Sequence, residues 1–90
     1  MTIQFTPHAW EEFSYWTDTD KRMVKKIQAL IRDLQRTPFD GLGQPEPLKH
    51  DLAGFWSRRI SGEHRLVYTI SGLTREEQVC TIIQCRFHYD

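Results

Sequence analysis

A carboxylate, an imidazole and a guanidinium are the side chains of this sequence that could carry out a reaction together: Glu46, His88 and Arg65. RNA can be cleaved without a metal when its own 2′-hydroxyl attacks the adjacent phosphorus. A base must take the 2′-proton, an acid must protonate the departing 5′-oxygen, and fixed positive charge must meet the charge that gathers on the phosphorane. Glutamate, histidine and arginine suit these roles in that order. Glu46 stands between Pro45 and Pro47, so the backbone that carries it is stiff. A histidine can hold or release a proton near neutral pH. An arginine stays charged and can grip two phosphate oxygens in a fork.

Around these three, Lys49 and Arg59 could neutralise neighbouring phosphates, and Tyr89 could stack a base or donate a hydrogen bond. Taken singly, each residue also has an ordinary reading: a loop glutamate as a surface charge, a near-terminal histidine as inert, a strand arginine as solvated. His8, His50 and His64 have no distinguishing spacing, and the last two could serve as hydrogen-bonding supports. No HExxH, cysteine cluster, P-loop, GxGxxG or GxSxG occurs, so neither a metal nor a cofactor is expected.

The elements that must position these groups fit a single domain, 1–90. Hydrophobic residues at 39% and charged residues at 27% describe a globular chain rather than a disordered one. Twelve basic and twelve acidic residues cancel, so total charge does not announce a nucleic-acid ligand and the distribution must be read instead. No run approaches the ~20 apolar residues of a bilayer span. The start, MTIQFTPHAW, lacks the features of a secretory signal, so a cytoplasmic protein without membrane association is expected. Cys80 and Cys85 fall in one expected strand with side chains on opposite faces, which predicts two unbridged, buried thiols.

Thr2 to Phe5 reads as a short strand. Thr6-Pro7 then reads as a cap and first turn, with Ala9, Trp10, Phe13 and Trp16 on one side of the helix that follows. Thr17 to Asp20 reads as a break. From Lys21 to Arg36 the residues Met23, Val24, Ile27, Leu30, Ile31 and Leu34 recur at helical spacing. Lys21, Arg22, Lys25, Lys26, Arg32 and Arg36 fall on the opposite arc, interrupted by Asp33. That arc is either a solvated face or a basic ridge for nucleic acid.

Phe39 to Leu52 reads as a long loop, and loops of that length in small domains are usually functional. Phe55 to Ser61, His64 to Ser71 and Gln78 to Tyr89 then alternate as three antiparallel strands. The fold class is α+β: a short N-terminal strand, two helices, then an antiparallel meander with the helices on one face. The other face would display Arg58, Arg59, Arg65, Arg86 and His88. Whether Arg59 and Arg65 share it depends on the register of their turn, which the sequence leaves open.

The run from Thr19 to Ile70, with GLGQPEPLKH, GFWSRRI and EHRLVY inside it, and the closing CRFHYD resemble the YoeB/Txe family within the RelE superfamily of toxin–antitoxin toxins. The resemblance covers nearly the whole chain. It implies a microbial-ribonuclease-like fold and a metal-independent, ribosome-dependent endoribonuclease that cleaves messenger RNA and halts translation. By position, Glu46 matches the family's general base, Arg65 its phosphate-binding arginine and His88 its general acid. Tyr89 matches a functional tyrosine, and Lys49 and Arg59 match basic residues lining the site. The ridge of Lys21, Arg22, Lys25, Lys26, Arg32 and Arg36 would then face ribosomal RNA. A YefM/Axe-type antitoxin, a homodimer, and operator DNA bound only through the antitoxin complex are implied as partners. The turn from Ser71 to Glu77 is longer than the family leads one to expect. Asp90 adds a carboxylate after the His-Tyr pair that would favour protonated His88 or repel phosphate. A binder without catalysis, in the manner of ParE toxins, or an antitoxin co-repressor is the alternative. It would not require acid, base and phosphate ligand together.

Overall fold

Two side-chain caps delimit the helical half of the chain. In the computed structural model, which describes residues 1–88, the Thr6 hydroxyl accepts from the Ala9 N–H at 3.1 Å and Pro7 opens helix α1, Pro7–Thr19. Asp20 caps α2, Lys21–Arg36, by accepting from the N–H groups of Arg22 and Met23. The break is therefore shorter than the expected Thr17–Asp20. Thr17 and Thr19 donate their hydroxyls to the carbonyls of Ser14 and Tyr15 and remain helical, and Asp20 alone turns the chain.

Helix α2 buries the stripe its spacing predicts, with Met23, Ile27, Leu30 and Leu34 in the core and Val24 and Ile31 half-buried beside them. Full burial of side chains such as Ile27 and Leu34 contributes about 1.5–3 kcal/mol each. From α1, Ala9 and Trp16 join the same core. Trp10, expected on that side, is 54% exposed and packs its ring against Phe5 and Phe13 at the margin.

The remaining elements form one five-stranded sheet in the order β1-β5-β4-β3-β2. Its strands are β1 (Thr2–Phe5), β2 (Glu46–Pro47), β3 (Trp56–Arg59), β4 (Arg65–Ser71) and β5 (Val79–Gln84). The meander is antiparallel, and β1 lies parallel to β5. Strand β2 corrects the expected loop: Glu46 stands opposite Ser57 and Pro47 opposite Trp56, before a 3-10 turn at His50–Leu52. A proline is tolerated there because β2 is the outer edge, where its missing N–H interrupts no ladder.

A bulge changes the far end of the sheet. Tyr68 faces Ile82 but its neighbour Val67 faces Gln84, which leaves Ile83 as the extra residue. Alternation is reset beyond it. Cys85 therefore returns to the core instead of pointing away from Cys80, and both are buried free thiols in one cluster. Burial pushes both thiols up to about 12. The last strand ends at Gln84 rather than running on to Tyr89. No helix among the described residues is long and apolar enough to cross a membrane.

Candidate active site

The register of β3 and β4 places Arg59 directly opposite Arg65, so the two arginines share a face. Like charges paired across strands are unfavourable, and a sequence that keeps such a pair is spending stability on something other than the fold. Beside them Glu46, Ser57, Val67 and Gln84 form one row across β2, β3, β4 and β5. Gln84 belongs to this row only because of the bulge. Its amide donates to the carbonyls of Arg86 and Phe87, both at 3.1 Å, and so bends the chain toward His88. Gly43, Gln44, Glu46, Ser57, Arg59, Arg65 and His88 line a cavity of about 110 Å³. One water needs only about 10–15 Å³ of such space, so the cavity has room for a phosphate group.

Arg58, expected on this cationic face, points the other way. It is fully buried and donates to the Asp33 carboxylate at 2.7 Å, to the Tyr68 hydroxyl at 3.0 Å, and to the carbonyls of Thr37, Asp40 and Leu42. Tyr68 in turn donates to the Pro38 carbonyl. The Leu42 N–H and the Arg58 guanidinium hold the Asp33 carboxyl down at about 2. One buried guanidinium thus ties down residues 37–42, and Gly43 follows with its carbonyl accepting from the Arg59 N–H at 2.7 Å. Gly43 has φ +79, and a Cβ on it would press on Leu30 and the Arg59 carbonyl. The chain then enters β2 with Glu46 already aimed.

The opposite wall is built from backbone groups and rings. The Arg65 N–H donates to the Phe87 carbonyl at 3.0 Å, and the Phe87 N–H donates to Nδ1 of His64 at 2.8 Å. The Trp16 and His64 rings meet in a T-shaped contact with centroids 4.9 Å apart, and Trp16 Nε1 donates to the Cys85 carbonyl. Phe87 adopts φ +67, a bend that leaves His88 on the cavity side. The Arg65 guanidinium is itself tethered, since Nη1 donates to the Ser61 carbonyl at 2.7 Å. Arg86, also expected on the cationic face, lies over the Tyr15 ring of α1 at 3.5 Å instead.

Of the residues singled out in the sequence, Glu46, Arg59, Arg65 and His88 thus meet at one cavity. Lys49 does not. It lines an adjoining groove of about 490 Å³ formed by Glu46 to Leu52, which shares Glu46 with the cavity. Tyr89 and Asp90 lie outside the described residues. Lys21, Arg22, Lys25, Lys26 and Arg32 are exposed along α2, while Arg36 is drawn to Asp33 at 2.9 Å. The long Ser71–Glu77 turn folds back on the same helix end, with Arg75 donating to the Arg36 carbonyl. Gly43, Gln44 and Ser57 line the cavity without having been singled out. Strand alternation with Arg59 was the available signal for Ser57. Among the described residues no three His, Cys, Asp or Glu side chains gather as a metal site.

The family described as YoeB-like toxin of bacterial type II toxin–antitoxin system matches residues 5–89. Toxin YoeB of Escherichia coli (strain K12) is 52% identical over 89 residues, spanning 99% of this chain and 100% of the relative. The solved YoeB/ParE toxin from Agrobacterium tumefaciens is 55% identical with a TM-score of 0.94, over 99% of this chain and 100% of that one. Staphylococcus aureus YoeB, solved as a dimer, is 42% identical with a TM-score of 0.87. The YoeB–YefM complex from the same organism matches at 41% and 0.86. Each of these two matches covers 99% of this chain and 98% of the solved one.

Proposed function

The chain belongs to the YoeB-like toxins of bacterial type II toxin–antitoxin systems, and from that premise we propose that it is an endoribonuclease that cuts messenger RNA on the ribosome. Glu46 takes the proton of the 2′-hydroxyl, which attacks the adjacent phosphorus. His88 protonates the departing 5′-oxygen. Arg65, held by the Ser61 carbonyl, and Arg59 opposite it meet the charge on the phosphorane. The products are a 2′,3′-cyclic phosphate and a 5′-hydroxyl end. No metal enters these steps. The observation that carries the reading is the convergence of a carboxylate, an imidazole and two guanidiniums on one phosphate-sized cavity.

The Lys21, Arg22, Lys25, Lys26, Arg32 and Arg36 ridge supplies sequence-independent contacts to ribosomal RNA phosphates. Lys49 and Tyr89 are assigned to RNA beside the scissile bond. As with the S. aureus proteins, the partners are a YefM-type antitoxin and a second toxin copy, and operator DNA is reached through the antitoxin. The site of action is the cytoplasm.

The test is cleavage of a defined message on translating ribosomes, with the ends of the fragments identified. Cyclic phosphate ends from the parent protein, absent with Glu46→Ala and His88→Ala, are expected. Equal growth arrest by both variants and the parent would return the chain to a non-catalytic toxin.

A further inference from the structure

We propose that His64 is a positioning residue: as a neutral imidazole it fixes the bend that points His88 into the cavity. This rests on the nuclease reading above but has a readout independent of it.

His64 begins as the residue before Arg65, at the close of the β3–β4 turn, and its side chain is only 15% exposed. Its Nδ1 accepts from the Phe87 N–H at 2.8 Å, across 23 residues of sequence. Accepting through Nδ1 puts the imidazole proton on Nε2, and a doubly protonated ring has no lone pair to offer. Phe87 sits at φ +67, which a bulky side chain adopts only when its surroundings impose it. The impositions can be named. Arg65 N–H and the Gln84 amide hold the Phe87 carbonyl, and His64 holds the N–H of the same residue. His88 is the next residue. His64 therefore acts one peptide away from the group proposed as the acid.

The ring is backed by Trp16, in a T-shaped contact at 4.9 Å, and by the Phe87 ring at 5.9 Å. The charged and titratable groups around it are Glu63, whose carboxylate is 4.0 Å from Nε2, Arg65 on the following residue, and Arg86, whose guanidinium lies 5.9 Å from the Trp16 ring. The Phe87 N–H therefore depends on a ring nitrogen that carries no proton.

Two substitutions separate an acceptor from a mere packing surface. His64→Asn keeps an oxygen acceptor near the place of Nδ1 but loses the ring. His64→Phe keeps the ring and loses the acceptor. Exchange of the Phe87 amide with solvent, read by NMR on the whole chain, should stay slow in the parent and in His64→Asn and become fast in His64→Phe. In ribosome-dependent cleavage, His64→Phe should lose about 10²-fold in kcat, the scale of a misplaced catalytic group, with KM changed little. His64→Asn should keep most of the rate. The reverse order, with Phe protecting the amide and Asn exposing it, would overturn the proposal. Equal Phe87 exchange in all three proteins would do the same. If the parent cleaves nothing, the nuclease reading fails while amide exchange still decides the role of His64.

Discussion

The two walls of the cavity are held by different physics. The wall that presents Glu46 is tied to a fully buried guanidinium that makes five hydrogen bonds and faces a carboxylate held at about 2. The wall that presents His88 is a bent terminal run held by one main-chain hydrogen bond, one amide side chain and one imidazole. Charge networks inside a protein are costly to disrupt and indifferent to neutral pH. An imidazole acceptor is neither. Glu46 is thus set rigidly and His88 is set by groups that can let go, a division that keeps the cavity's shape while leaving one side adjustable.

Removing the reacting groups should have the largest effect. Glu46→Ala or His88→Ala should each lower the cleavage rate by about 10²–10⁴-fold, and titration with antitoxin should give the parent's binding curve. Next is the anchor of the rigid wall. Arg58→Met leaves Asp33 and three carbonyls facing apolar surroundings, and urea unfolding should report a loss of about 3–5 kcal/mol. Survival of the parent's stability would mean that the Arg58 network is not what holds the wall. Gly43→Ala, at φ +79 and against the Arg59 carbonyl, should cost about 1–3 kcal/mol and reduce cleavage along with it.

Acid provides a gentler probe. Asp33 titrates at 3.8 when unfolded and about 2 when folded, so its stabilisation is complete above 3.8 and is lost as pH falls through about 2. Thermal melts of Asp33→Asn should therefore show a flatter decline across that window than the parent. Smallest in stability terms is the ridge. Reversing Lys25, Lys26 and Arg32 should move unfolding by no more than about 0.5 kcal/mol, yet should weaken cosedimentation with ribosomes and flatten its salt dependence.

Much of this arrangement was legible in the residues. The period of α2, the cap at Thr6 and the three-stranded meander follow from local rules that tertiary context had no cause to override. What was hidden depended on contacts distant in sequence. Neighbouring arginines on a strand must face opposite ways, but nothing local says that Arg58 is the one buried, because its reasons are Asp33 and a loop, 16 to 25 residues away in sequence. The bulge at Ile83 decides that Gln84 joins the site and Cys85 the core, and a single extra residue leaves no mark in composition. Strand β2 escaped notice because two residues, one of them a proline, carry no alternation to read.

The parallel pairing of β1 with β5 has a consequence for how the molecule comes into being. Contacts such as Gln4 with Thr81 join segments 77 positions apart, so the first strand has no neighbour to zip against until nearly the whole polypeptide has been synthesised. A nascent fragment lacks both the closing strand and the imidazole that follows it. Any activity that needs the complete sheet and His88 is accordingly deferred until nearly all of the chain has been made.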